Sequence, residues 1–224
     1  GRLVELARPV VDELCPRPVF ERLARWLLVH LMLGPWFGLL LRLGQTLRGL
    51  LPESLARHIP KRYPVGIVPE SHGNRRVLML DGCVQPAMAP QINAAARRVL
   101  AKLNVDVRSA NQAGCCGALQ LHLGNTDPAL DAMRRNIDAW WPEIENGVEA
   151  IVMTASGCGV TVREYGQLLK NDPIYCEKAK RVSEMTVDLS EFVSAEDVAS
   201  LGRISQRRVA FQSRCTVQRG EGGR

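Results

Sequence analysis

A chain of 224 residues with 46% apolar content is long enough to bury a sizeable core, which excludes a disordered or fibrous class. Its seven cysteines, an odd number, argue against a fully paired disulfide framework and fit reduced thiols or metal ligands in a cytoplasmic chain. The formal net charge of +6 sits wholly in the first third: residues 1–76 hold twelve Lys/Arg against six Asp/Glu, residues 77–224 seventeen of each, and the scattered arginines do not make a nucleic-acid surface.

In chain order, Leu3, Leu6, Val10 and Leu14 recur at helical spacing and predict a short helix over residues 1–14, ended by Cys15-Pro16. A second helix from Val19 to about Leu33 presents Phe20, Leu23, Leu27 and Leu31 on one face and stops at Gly34-Pro35. The apolar stretch from Trp26 to Leu41 is too short for a span of about 20 residues, and it contains His30 and a Gly-Pro break, so no transmembrane segment is expected. It reads either as an amphipathic hairpin packed on another domain or subunit, or as a surface-lying membrane contact through Trp26, Trp36 and Phe37. Residues 48–65 continue as helix and then a connector carrying Pro52, Pro60 and Pro64, and a domain boundary is expected near residue 74.

After that boundary the pattern alternates. Val77 to Leu80 is a predicted strand, Pro90 to Leu103 a helix, Val105 to Val107 a strand, Asp127 to Trp140 a helix and Ala150 to Met153 a strand. A loop Ser156-Gly157-Cys158-Gly159 and a helix from Val160 to Leu169 follow. Strand, loop and helix repeated in this way argue a mostly parallel α/β sheet with helices on its faces. Arg75-Arg76-Val77 with Cys83 is echoed by Arg207-Arg208-Val209 with Cys215, which predicts a second copy of the domain starting at about residue 206. The chain opens on Gly1 rather than methionine and stops just inside that second copy, so both ends read as cut.

Cys83, Cys115, Cys116 and Cys158 stand beside glycines, immediately after predicted strands; Cys15, Cys176 and Cys215 do not. Glycine tolerates positive φ and lets backbone N–H groups approach sulfur, and ligands collect at the carboxyl ends of strands in open α/β sheets. Four thiolates from three loops suit a cubane iron–sulfur cluster, and the same four suit tetrahedral zinc. A redox disulfide between adjacent cysteines is disfavoured by geometry, and buried free cysteines are the remaining reading.

Leu80-Asp81-Gly82-Cys83-Val84-Gln85-Pro86, Asn111-Gln112-Ala113-Gly114-Cys115-Cys116-Gly117 and Thr154-Ala155-Ser156-Gly157-Cys158-Gly159 resemble the cysteine-rich CCG domain of the heterodisulfide reductase B subunit and related proteins, and more closely the glycolate oxidase iron–sulfur subunit family. The resemblance implies a helical linker over 1–74, a Rossmann-like CCG domain over 75–205 and the start of a second over 206–224. It implies a cluster, of the 4Fe–4S kind, on Cys83, Cys115, Cys116 and Cys158. The wider pattern ends in C-x-x-C, and Ala155 replaces the first of that pair, so five ligands become four. The implied activity is electron transfer in a complex that oxidises glycolate, with substrate and FAD on partner flavoprotein subunits and a membrane quinone or other acceptor downstream. The location implied is cytoplasmic, peripheral at the inner face of the membrane. Open alternatives are a zinc-stabilised interaction module and a lactate- or glycerol-3-phosphate-linked counterpart. Asp81 and Gln112 are candidates for hydrogen bonds to the site; His122 is a candidate ligand or donor, or else a plain surface or core histidine.

Overall fold

The computed structural model describes residues 7, 10–12, 14–70, 73–196 and 201–202; the helix expected over 1–14 falls largely outside them, and the second copy expected from about 206 falls wholly outside. Two helices open the described chain, α1 (Val19–Leu33) and α2 (Phe37–Leu47), the first ending at Gly34 where the chain turns extended. The helix expected to run on from Arg48 does not form. A 3₁₀ turn (Arg48–Leu50) and a single helical turn α3 (Glu53–Ala56) replace it, because Pro52 has no N–H to continue a ladder and serves as the cap of a new start.

A four-stranded sheet follows: β1 (Arg75–Met79), β2 (Val105–Arg108), β3 (Ala150–Met153) and β4 (Thr186–Asp188). Its order is β2-β1-β3-β4 and every pairing is parallel, with Val77 opposite both Val107 and Ala150, and Ile151 opposite Thr186. The fold is α/β, as expected. The fourth strand escaped the sequence reading because it is three residues long and carries Thr186 and Asp188 rather than an apolar run.

Helices link and cover the strands. α4 (Gln85–Met88) and α5 (Pro90–Lys102) lead from β1 to β2; α6 (Ala118–His122) and α7 (Thr126–Glu145) lead from β2 to β3. From β3 the chain passes through α8 (Ser156–Arg163), α9 (Tyr165–Leu168) and α10 (Cys176–Met185) to β4 and then α11 (Leu189–Ser194). Strand side chains alternate between faces with a period of two, and the core divides accordingly. Leu78, Ile151 and Met153 pack with Met133, Ile137 and Trp140 of α7 on one face, while Val77, Val105 and Val152 pack with Leu100 of α5 and Phe192 of α11 on the other. Each such side chain contributes roughly 1.5–3 kcal/mol on leaving water. Asp188 starts α11 with a reciprocal capping box: its carboxylate accepts from the N–H of Ser190 at 2.8 Å, and the Glu191 carboxylate accepts from the backbone N–H of Asp188 at 3.2 Å.

The helical region is apolar outside as well as in. Val29 is the buried position of α1, and α2 has none, while Phe20, Trp26, Leu27, Trp36, Leu39 and Leu43 are largely exposed. No single described helix is long and apolar enough to cross a membrane; α1 and the stretch Phe37–Leu50 pass that test only as a pair, bent by 88°. α2 packs on α4, with Gly38 facing Ala87, and Arg98 of α5 donates to the carbonyl of Val65 at 2.8 Å, tying the connector to the sheet layer.

Candidate functional site

Because the strand order reverses between β1 and β3, their carboxyl ends open a crevice, and the loops leaving β1, β2 and β3 meet there. Those loops carry the four glycine-flanked cysteines. Cys83 follows β1 and precedes α4, Cys115 and Cys116 precede α6, and Cys158 lies in the first turn of α8. The last placement corrects the sequence reading, in which Cys158 belonged to a loop and the helix began at Val160: Gly157 and Gly159 tolerate helical geometry, and Gly159 donates to the carbonyl of Ala155 at 2.9 Å from the start of the helix. The same expected helix is broken at Glu164, which separates α8 from α9.

The sulfurs form a row. Cys83 and Cys116 thiols hydrogen-bond to Cys115, and Cys116 also to Cys158; none is in a disulfide. Cys115 is pulled down to about 3 by the Cys116 thiol, the Cys83 thiol, the N–H of Gly117 at 3.4 Å from its Sγ and the charge of Arg135. Cys158 is lowered by the Cys116 thiol. Cys83 and Cys116 are raised, each first by its bond to Cys115 and then by burial, Cys116 being 3% exposed. The bonds among the thiols thus favour the thiolate form at Cys115 and Cys158 and the protonated form at Cys83 and Cys116. Among the described residues no three or more His, Cys, Asp or Glu converge on a point suited to one metal ion. An iron–sulfur cluster, by contrast, is held by four Cys thiolates. The donor set of four partly buried thiols fits such a group chemically. At Gly114 and Gly157 the space beside the backbone is open.

Two polar networks set the loops. Asp81 accepts from Arg97 at 3.0 Å, from Ser109 at 2.8 Å and from Asn93, whose amide also meets Gln85 and Thr154. Residues from the β1, β2 and β3 loops are thereby joined through α5. Asn136 and Tyr165 support the double cysteine from the core: Asn136 accepts from Gly114 N–H at 2.9 Å and donates to the Cys115 carbonyl at 2.9 Å, and the Tyr165 hydroxyl donates to the Cys116 carbonyl at 2.8 Å. Sequence reasoning named Asp81 and missed Asn93, Thr154, Asn136 and Tyr165. Asn136 did leave a signal, since it is an amide in the apolar stripe Ala132, Met133, Ile137 and Trp140. Gln112 lies on an exposed turn, and exposed His122 ends α6.

Residues 77–163 match the family of cysteine-rich domains named CCG. The chain is 44% identical to the glycolate oxidase iron–sulfur subunit of Escherichia coli (strain K12) over 96% of its own length and 54% of that protein's. It is 27% identical to the probable glycolate oxidase iron–sulfur subunit of Bacillus subtilis (strain 168), over 78% and 39% of the two chains, and 28% identical to lactate utilization protein A of Bacillus pumilus (strain SAFR-032), over 64% and 59%. The chain thus spans about half the length of the curated relatives it matches. No solved structure matches it. Residues 77–163, which carry the three cysteine loops on one sheet edge, are thus similar to the cysteine-rich CCG domains, in a chain similar over nearly all its length to the iron–sulfur subunit of glycolate oxidase from Escherichia coli (strain K12).

Proposed function

We propose that this chain is an electron-transfer subunit of a complex that oxidises a 2-hydroxy acid, and that Cys83, Cys115, Cys116 and Cys158 hold an iron–sulfur cluster of the 4Fe–4S kind. The observation that carries the reading is the meeting of four thiols from three distant loops at the carboxyl edge of a parallel sheet. When bound, such a group supplies one-electron chemistry at a potential set by its surroundings. The chain's own residues do the rest. Cys83, Cys115, Cys116 and Cys158 would hold the group as thiolates, the N–H of Gly117 faces the Cys115 sulfur, and the Asp81 and Asn136 networks keep the three loops in register. Hydroxy-acid binding and FAD belong in this reading to partner flavoprotein subunits. Glycolate is the substrate favoured by the 44% identical relative; lactate is the second reading, favoured by the relatives named for lactate utilization. Residues 1–74 serve as the docking region, 75–205 as the CCG domain and 206–224 as the start of a second.

Anaerobic reconstitution of the full chain with iron and sulfide, followed by EPR of the reduced protein, tests the site. A signal present in the wild type and lost in Cys158→Ser is expected; identical spectra from the two would refute the assignment. The exposed apolar face of α1 and α2, in the basic third of the chain, is the surface that meets the flavoprotein or lies peripherally on the membrane on the way to a quinone acceptor. Flotation with anionic vesicles separates these. Co-flotation lost in Trp26→Ser/Trp36→Ser assigns the face to lipid, and absence of co-flotation with retained flavoprotein co-purification assigns it to protein.

A further inference from the structure

Behind the double cysteine lie two buried polar side chains that ligation does not require. Asn136 is 1% exposed and Tyr165 0%, and both stand in the apolar core between α7, α9 and the sheet. Burying an amide and a phenol is costly unless their polar atoms are paired. Here they are paired, and apart from the 3.1 Å bond between them their partners are backbone groups of Gly114, Cys115 and Cys116 alone. The amide orientation is fixed by chemistry: Gly114 N–H is a donor and must face Oδ1, whereas Nδ2 faces the Cys115 carbonyl and the Tyr165 oxygen.

The consequence is electrostatic as well as steric. The carbonyls of Cys115 and Cys116, the negative ends of their peptide dipoles, are drawn into the core. The opposite end of the Cys116 peptide, the N–H of Gly117, faces the Cys115 sulfur at 3.4 Å. Turned the other way, the same carbonyls would present negative charge to the sulfurs. Gly117 at φ +89° completes the turn that keeps this orientation.

We propose that Asn136 and Tyr165 are positioning residues that lock the Cys115–Cys116 backbone with its carbonyls inward and the Gly117 N–H toward the Cys115 sulfur, and so set how firmly and at what potential the pair holds its electron-carrying group. The second half rests on the four-cysteine reading; the lock itself does not. Two readouts on the full chain therefore test it. In the reduced, metal-free protein, maleimide labelling resolved by peptide mapping is compared for Tyr165→Phe, Asn136→Leu and a control, Leu169→Ala, that empties the same core without touching the loop. Labelling of Cys116 about tenfold faster in Tyr165→Phe than in the control, with Cys176 labelled equally in both, is expected for loss of one hydrogen bond. Equal rates in variant and control at matched thermal stability overturn the lock. In the reconstituted protein, iron release to a chelator about tenfold faster and a shifted EPR midpoint potential are expected in Tyr165→Phe. An unchanged potential and release rate overturn the positioning role. A wild type that takes up no iron and sulfide overturns the four-cysteine reading with it, while the labelling arm still decides the lock. Tyr165→Phe preserves the ring and its packing, so a misfolded Asn136→Leu leaves the result intact.

Discussion

Gly117 sits at φ +89°, and a Cβ built there would lie 2.9 Å from the carbonyl oxygen of Ala129 and 3.2 Å from Cε of Met133. Both facts forbid a side chain, one through the backbone conformation and the other through contact with α7. Gly117→Ala is expected to destabilise the chain by about 2 kcal/mol or more, read as a fall in the urea midpoint, whereas Gly157→Ala, whose added methyl meets open space, is expected to change it little. This distinction was not legible in the sequence. Glycine beside cysteine marked the four thiols that the structure brings together, but positive φ occurs at Gly82 and Gly117 and at neither Gly114 nor Gly157. Residue identity reported that clearance was present without saying whether it served the backbone or the space beside the sulfur. Asn136 was legible in part, as an amide out of place in an apolar stripe; its partners, 21 and 22 residues earlier, were not.

At the scale of elements, long periodic segments were read well because their pattern repeats: α1 over Val19–Leu33 and β3 over Ala150–Met153 lie where the apolar spacing puts them. Short elements whose stability comes from tertiary contact were not. β4 pairs with β3 through three residues, and α11 behind it is held partly by Arg75, which meets Glu196 at 2.8 Å and Glu149 at 2.9 Å and stacks over Phe192. The Arg75 guanidinium holds the Glu196 carboxyl below the usual carboxylate range. A depressed carboxylate contributes stability above its ordinary range and loses it as pH falls through that range toward the folded value. For so exposed a pair the contribution is about 0.5–1 kcal/mol. Glu196→Gln should therefore lower the urea midpoint at about pH 7 and lower it by less as pH falls to about 3, and an equal loss at both would show that the pair carries no charge-dependent stability.

For the whole molecule, the sequence placed charge and apolarity in the first third and chemistry after residue 74, and the structure shows how the two parts touch. α2 packs on α4, the helix that starts just after Cys83, so the apolar hairpin adjoins the segment that follows the first of the four cysteines. Convergence of the loops was foreseeable from strand–helix alternation alone, since parallel strands put their carboxyl ends on one side. The row of contacts among the sulfurs was not, because distances across a sheet edge depend on register. The central claim is that Cys83, Cys115, Cys116 and Cys158 hold one cluster. It is tested most directly by iron and acid-labile sulfide analysis of the full chain purified without oxygen, beside Cys115→Ser. The account predicts that the variant holds about four fewer iron and four fewer sulfide per chain than the wild type; equal iron and sulfide in the two proteins would contradict it.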